Sequence, residues 1–384
     1  MSIPQIDYHL FGTHVKFGPG CARDLRSELD ALGSRRVLVL MQQRMAHSDS
    51  WAALRQTLDG LQMQMHSSVP NHSSVAWVEQ LASEMAQFQP DSIVALGGGS
   101  VSDSAKALAM LHAEGGPLAD HVTRFTPPAR VHVPLRTKPK LPIISLPTTA
   151  SGAELTPSFG VRQDEHKLLF WNRQLASRTV LLDPDLSGDM PLTLLRYTAM
   201  NGLAHCFEGM YSRSRSLISD GIALQSIELF AQALTDNTLD EKEQRWRLLL
   251  GGHLSGIVLS MAKTCLHHAI CHVIGARHNA GHGQINTIIL PHALRFNDSV
   301  AGTSLAPALV MLNRVSGTSH ASVSDWISAV IEQLGLSASL ADIGLTNNDF
   351  LPIAQQTMTE RGLAVNPRPV SHADEILSIL RQAA

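Results

Sequence analysis

The first half of the chain alternates short apolar runs with amphipathic segments. Three runs are apolar almost throughout, at 36–41, 92–96 and 141–146. Such runs are typical of parallel strands that are buried on both faces. Between the apolar runs, the amphipathic patterns at 75–88 and 102–112 predict helices that pack on the sheet. This alternation of strand and helix predicts a doubly wound, mostly parallel α/β domain.

The second half of the chain has a different pattern, because helical periodicity dominates from Pro191 onward. The first predicted helices of this half are 193–212, 217–236, 241–263, 264–276 and 285–296. We therefore expect an α/β domain over 1–187 and an all-helical domain over 188–384. An active site would lie in the cleft between them.

Two segments of the first half depart from the simple alternation. Residues 7–11 and 14–17 predict a hairpin that is broken at Gly12 and Thr13. Residues 113–140 are rich in Pro, Arg and His and predict a long surface excursion before the third buried strand.

Composition and charge exclude several classes of protein. The 384 residues are 44% hydrophobic and 16% charged, with a formal charge of −3, so no nucleic-acid partner is expected. No apolar run is long enough to span a bilayer, and the N-terminus lacks the pattern of a signal peptide. The four cysteines form no CxxC pair. We expect a cytoplasmic protein with reduced thiols that acts on a small molecule.

Histidines are concentrated between Cys265 and Gly283. This stretch holds five of the nineteen histidines, namely His267, His268, His272, His278 and His282. His268 and His272 share one face of the predicted helix, and Gly275 with 279–281 predicts a turn that returns His282 to that face. Converging imidazoles suit a divalent metal, a proton relay or both. The alternative is a His-rich helix end with no ligand.

A glycine-rich turn follows the second buried strand. Gly97, Gly98, Gly99 and Ser100 lead directly into a helix, whose free N–H groups can bind a phosphate. The alternative is a plain tight turn. The third strand is followed by hydroxyls at Thr148, Thr149 and Ser151, which would face the ligand crevice at the carboxyl ends of the strands. Lys167, taken alone, would be a solvated surface lysine.

A second candidate metal-binding pattern opens the helical half. Asn201 and His205 are four residues apart on one helical face, and Glu208 lies one turn further on. Together with His268 and His282, these residues would complete a four-residue metal site. An amide oxygen binds a divalent cation more weakly than a carboxylate does.

These motifs resemble those of the iron-containing (group III) alcohol dehydrogenases, a superfamily that also holds glycerol dehydrogenases and maleylacetate reductases. The matching segments are 97–106 (GGGSxxDxAK), 147–154 (PTTxxxxSE), 201–208 (DAxxHxxE), 282–286 (HGxxN) and 290–297 (LPHxLxxN). The resemblance covers nearly the whole chain. It implies a dehydroquinate synthase-like fold, an NAD or NADP cofactor and a homodimer.

The resemblance also implies roles for individual residues. The implied cofactor-binding residues are Gly97, Gly98, Gly99, Ser100, Asp103, Thr148, Thr149, Ser151 and Lys167. His205, His268 and His282 match three of the four metal ligands, and His272 matches the histidine that relays a proton. The fourth ligand is an aspartate in metal-dependent members, whereas this chain has Asn201. We therefore expect Fe²⁺ or Zn²⁺ binding to be weakened or absent.

The resemblance leaves several functions open. The first is an NAD(P)H-dependent alcohol dehydrogenase or carbonyl reductase, which Asp103, the 113–140 insert and Gly283 after His282 favour. The second is a maleylacetate reductase or a related oxoacid reductase in the degradation of aromatic compounds, which Asn201 favours. The third is a non-catalytic nucleotide-binding relative.

Two charged positions bear on substrate and cofactor choice. Arg277 would meet a substrate carboxylate or simply lie exposed at a helix end. The sequence Met41-Gln42-Gln43-Arg44 has no carboxylate where the adenine ribose would bind, which permits NADPH without excluding NADH.

Overall fold

The computed structural model describes residues 12–127, 130–278 and 280–384. The predicted strand at 7–11 lies outside the described residues. Within them the chain forms ten strands: β1 (His14–Phe17), β2 (Arg36–Met41), β3 (Gln62–His66), β4 (Ser92–Gly97), β5 (Arg124–Thr126), β6 (Arg130–His132), β7 (Ile143–Pro147), β8 (Ser158–Gln163), β9 (His166–Trp171) and β10 (Thr179–Leu182).

The described residues also form thirteen α-helices. They are α1 (Leu25–Ala31), α2 (Gln43–Ala46), α3 (Asp49–Gln56), α4 (Val75–Phe88), α5 (Gly99–Glu114), α6 (Leu192–Tyr211), α7 (Leu217–Thr235), α8 (Glu241–Ala262), α9 (Leu266–Arg277), α10 (His282–Ser316), α11 (Val323–Gln333), α12 (Asn347–Thr357) and α13 (Ala373–Gln382).

Six strands form one parallel sheet in the order β1-β10-β7-β4-β2-β3. The register pairs Gly97, at the end of β4, with Pro147, at the end of β7. The glycine turn and the threonine loop therefore leave the same edge of the sheet from neighbouring strands. This edge is where ligands bind in open α/β sheets.

The two faces of the sheet pack into different hydrophobic cores, because successive side chains of a strand point to opposite faces. Leu38 and Leu40 of β2 pack with α4, α5 and the β8–β9 hairpin. Val37 and Val39 belong to a second core, which includes residues of α1 and continues into α6, α7 and α11 of the helical half. The sheet and the following helices thus share one core.

The fold prediction of a parallel α/β half followed by a helical half is confirmed. The change occurs between β10 and α6, where a 3₁₀-helix spans Pro184–Asp189. The predicted helix at 285–296 was too short, because α10 runs from His282 to Ser316. It continues through Pro291 and Pro307 and stops at Gly317, whose left-handed φ of 65° is typical of a helix end.

The two antiparallel pairs lie outside the main sheet. One, β5–β6, occupies the predicted excursion at 113–140, and the other, β8–β9, follows the threonine loop. Across 12–127, 130–278 and 280–384, no single helix is long and apolar enough to cross a membrane, although α8 and α9 pass that test together as a pair bent by 106°.

Candidate active site

The glycine turn leaves the N-terminus of α5 open. A Cβ at Gly97 would lie 2.7 Å from Val101 Cγ2, and one at Gly98 would lie 2.9 Å from Thr149 Oγ1. Side chains at these two positions would therefore collide with the helix or with the threonine loop. Glycine keeps the first N–H groups of α5 accessible, as phosphate binding at a helix N-terminus requires.

Lys106 joins α5 to the loop that follows β7. Its buried Nζ donates hydrogen bonds to Ala153 O at 2.6 Å, Ser158 O at 3.0 Å and Thr156 Oγ1 at 3.2 Å. Burial lowers the pKa of Lys106 to about 8, against the opposing charges of Asp103 and Glu154. Sequence reasoning gave this residue no role, although a lysine on the buried face of a helix was visible in the sequence.

Asp103 positions the β8–β9 hairpin. Its Oδ2 accepts a hydrogen bond from Gly160 N at 3.2 Å. Burial raises the pKa of Asp103, and the charges of Lys106 and Lys167 oppose that rise. A Cβ at Gly160 would overlap Lys167 Cε, so this glycine lets the lysine cross the hairpin.

These elements line a single cavity of about 1230 Å³. Seven of the nine predicted cofactor-binding residues lie on its wall, namely Gly98, Gly99, Ser100, Asp103, Thr149, Ser151 and Lys167. Gly97 and Thr148 do not line this cavity, since Thr148 N donates to Gly97 O at 3.1 Å behind its wall, and cofactor binding at these two positions stays a prediction. Gln42, Gln43 and Arg44 line the same cavity, as expected for residues near an adenine ribose.

Five histidines gather at, or directly behind, the other end of the cavity and form what we call the histidine cluster. They are His205 on α6, His267, His268 and His272 on α9, and His282 at the start of α10. The ring centroids of His205 and His268 are 4.7 Å apart, and His282 lies 6.4 Å from His268 and 6.3 Å from His272. His282, the first residue of α10, therefore lies beside the face of α9 that carries His268 and His272.

A buried chain of contacts runs through His268. Its Nδ1 lies 2.6 Å from Glu208 Oε2, and its Nε2 lies 3.1 Å from Asn201 Oδ1. When Glu208 is ionised, Nδ1 donates to it, and the lone pair of Nε2 then faces the lone pairs of the amide oxygen. A cation between the two atoms would satisfy both lone pairs, and a rotated amide would satisfy Nε2 by donating from Nδ2, so this contact accommodates a metal ion without requiring one.

A more compact donor group lies behind the cavity wall. Among the described residues, donor atoms of Glu208, His267 and His268 lie within 4.8 Å of one another. His267 Nε2 is 3.1 Å from Asn286 O, and His267 Nδ1 is 3.3 Å from His268 Nδ1. Burial raises the pKa of Glu208 to about 7 and lowers that of His267 to about 4. This group orients His268 from the side away from the cavity.

The imidazoles of the cavity are neutral at pH 7. Burial lowers the pKa of His205, His268, His272 and His282 well below the ordinary value of 6.5. The positive charge of Lys167 acts in the same direction on all of these except His205. Neutral imidazoles are the form that binds metals and accepts protons.

Sequence reasoning missed two residues beside His272. Glu360 Oε2 lies 3.7 Å from His272 Nδ1, and burial raises the pKa of Glu360 to about 7. Arg361 follows it and lines the cavity. Both lie far along the chain from the motifs, in a short 3₁₀ segment, so no spacing in the sequence pointed to them.

Two candidates from the histidine stretch lie elsewhere. His278 Nε2 is 3.8 Å from Asp349 Oδ1, outside the cluster. Arg277 NH1 forms an ion pair with Glu165 Oε2 at 2.7 Å and bonds Gln356 Oε1 at 3.2 Å. The guanidinium is therefore already paired, which argues against the idea that Arg277 meets a substrate carboxylate.

The fold and this site define an oxidoreductase with a nucleotide-binding sheet and a histidine-lined cavity. Residues 12–184 match the iron-containing alcohol dehydrogenase model, and residues 196–384 match the Fe-containing alcohol dehydrogenase family, C-terminal model. The chain belongs to the iron-containing alcohol dehydrogenase family, which confirms the resemblance drawn from the motifs. NAD(P) and iron or another metal are traits of that family.

Relatives within the family carry different names. A maleylacetate reductase of Pseudomonas sp. (strain P51) is 30% identical over 96% of this chain and 95% of its own length. A lactaldehyde reductase of Escherichia coli (strain K12) is 26% identical over 93% of this chain and 94% of its own length. The crystal structure of an iron-containing alcohol dehydrogenase from Corynebacterium glutamicum shares the fold, with a TM-score of 0.81 and 24% identity. The match covers 100% of this chain and 97% of the other.

Proposed function

We propose that this protein is an NAD(P)H-dependent oxidoreductase that interconverts an alcohol with an aldehyde or ketone by hydride transfer. The observation that carries the proposal is the single cavity that joins the N-terminus of α5 to the histidine cluster. A cofactor and a carbonyl compound would meet there, as hydride transfer requires. The lactaldehyde reductase among the relatives supports this class of reaction.

The cofactor would be held by the glycine turn and the threonine loop. The N–H groups at the start of α5 would bind the pyrophosphate, with Thr149 and Ser151 beside them. When bound, the nicotinamide supplies the hydride. Arg44 lines the adenine end of the cavity and would tolerate a 2′-phosphate, which supports NADPH as well as NADH.

His272 would move the proton that accompanies the hydride. It lies on the cavity wall with Glu360 at 3.7 Å behind its Nδ1, so a proton can reach the ring from the carboxyl group. A divalent metal held by Asn201, His205, His268 and His282 would polarise the carbonyl. Asn201 brings no charge to this set, so we infer that the metal is weakly held or absent.

A second candidate is a maleylacetate reductase or another oxoacid reductase. Among the described residues, the cavity wall carries five cations but only one carboxylate, Asp103. The cations are Arg44, Arg162, Lys167, Lys263 and Arg361. This excess of positive charge favours anionic ligands beyond the cofactor phosphates. The maleylacetate reductases among the relatives support it.

The test is oxidation of NADPH and NADH with a panel of aldehydes, ketones and oxoacids, each with added Fe²⁺, added Zn²⁺ or a chelator. We expect turnover that persists in chelator. NADPH binding without turnover over the whole panel would instead support the non-catalytic alternative. The domain division at 187/188, the homodimer and the cytoplasmic location stay predictions. The domain division is supported by the two family models, since the match to the first ends at 184 and the match to the second begins at 196.

A further inference from the structure

Two cations of the cavity wall lie at its helical end, away from the glycine turn. Lys263 follows α8, and Arg361 begins the 3₁₀-helix Arg361–Val365. Ser260 and Thr264 line the wall beside Lys263. This end of the cavity is where a substrate would lie if the cofactor phosphates occupy the start of α5.

The packing of Gly362 places the segment that begins with Arg361 against the turn that follows Lys263. A Cβ on Gly362 would lie 2.5 Å from Cys265 O and 3.3 Å from Thr264 O. The 3₁₀ segment is therefore pressed against the backbone that directly follows Lys263. On its other side, Glu360 lies 3.7 Å from His272. Arg361 therefore lies in a segment that reaches His272 through Glu360 on one side and packs on the turn after Lys263 on the other.

Neither cation is neutralised by the protein. Among the residues that the structure describes, no side chain or carbonyl accepts a hydrogen bond from either head group. The opposing charge that acts on Arg361 is that of Glu360, which is itself half protonated near neutral pH because burial raises its pKa to about 7. A partly buried guanidinium with no partner is costly, so it favours an anion that enters from solution.

The backbone of Lys263 gives independent support. Its φ of 64° and ψ of 173° fall in a region that is almost exclusive to glycine. Lysine therefore occupies a position where glycine would adopt the same backbone conformation with less strain. Backbone strain of this kind collects at ligand sites.

We propose that Arg361 and Lys263 together bind a carboxylate of the substrate, and that the preferred carbonyl substrate is therefore an oxoacid. This inference rests on the proposed hydride-transfer function. The guanidinium would take the carboxylate in a two-bond geometry, and Lys263 would add a second charge at the cavity mouth. The carboxylate would hold the neighbouring carbonyl beside His272.

The kinetic test compares the best oxoacid of the carbonyl panel with its methyl ester, which differs in charge at one group. Arg361→Gln should lower kcat/KM for the acid about 10- to 100-fold, mostly through KM, and change that for the ester less than about twofold. Lys263→Gly should lower kcat/KM for the acid about 3- to 10-fold. It should also raise the melting temperature, because glycine adopts the backbone conformation of this position without strain. Arg314→Gln, an exposed charge on α10, is the matched control and should change neither.

A binding test separates this inference from the proposed function. Succinate and neutral succinamide are titrated into the NADPH complex and followed by cofactor fluorescence, which needs no turnover. We expect succinate to bind more tightly than succinamide, Arg361→Gln to remove most of that difference and Lys263→Gly to reduce it. Equal binding of both compounds overturns the inference even if carbonyls are reduced. Loss of NADPH affinity in Arg361→Gln, with acid and ester affected equally, overturns it by making Arg361 a cofactor contact.

Discussion

Gly98→Ala tests the proposed phosphate site at its narrowest point. The added methyl would lie 2.9 Å from Thr149 Oγ1 and 3.0 Å from Thr149 Cγ2, so either the threonine or the backbone at the start of α5 must move. Both are predicted phosphate-binding groups. Losing one charge-assisted hydrogen bond costs about 1.5–3 kcal/mol, which weakens NAD(P)H binding about 10- to 150-fold.

The same substitution should leave the fold intact. Gly98 has φ of −91°, which alanine adopts freely, so we expect the free energy of unfolding to change by about 1 kcal/mol or less. The assay is fluorescence titration of NADPH and NADH alongside thermal unfolding. Gly302→Ala in α10 is the control, because a Cβ there meets nothing within 4 Å. Cofactor affinity within twofold of the unmodified protein would refute the phosphate site at α5.

Three further predictions concern the histidine cluster. Asn201→Asp should bind Fe²⁺ or Zn²⁺ at least about 10-fold more tightly, measured by chelator competition; equal affinities would contradict the role given to the amide. His272→Gln should lower kcat about 100- to 10,000-fold with unchanged NADPH binding, whereas His278→Gln should lower neither. In chelator, stability should fall as the pH falls below 6.5, because burial lowers the pKa of the five cluster histidines and they take up protons only on unfolding. Glu208 and Glu360, whose pKa burial raises to about 7, act in the opposite direction but are outnumbered; a flat melting temperature between pH 6.5 and 5 would contradict this prediction.

Local patterns were enough to predict the parallel sheet and the position of the glycine turn. The strands β2, β4 and β7 are apolar on both faces. Because strands and helices alternate along this half of the chain, few sheet topologies are possible. The pairing of Gly97 with Pro147 follows from neighbouring strands, which is why loops 50 residues apart in sequence could be expected to meet. The return of His282 followed from the glycines between α9 and α10.

Residues without a periodic pattern were not predictable. Glu360 and Arg361 reach His272 only because Gly362 packs on the backbone of Thr264 and Cys265, a contact that depends on tertiary structure. Arg277 appeared well placed by its position between two histidines, yet Glu165 of the β8–β9 turn pairs with it. The end of α10 was missed although the predicted helix 285–296 already contained Pro291, because the observed helix also continues through Pro307, where a proline usually marks a helix end.

The alternation of side chains along β2 affects whether one half of this protein can be produced alone or combined with the other half of a relative. The hydrophobic core that contains Val37 and Val39 extends into helices that begin more than 150 residues later in the chain. The nucleotide-binding half made alone would expose the part of this core that those helices complete, and it would aggregate or recruit another apolar surface. A chimera that joins this sheet to the helices of a relative must therefore match side-chain volumes across the whole face, and substrate range is better exchanged at Lys263 and Arg361 than by swapping halves.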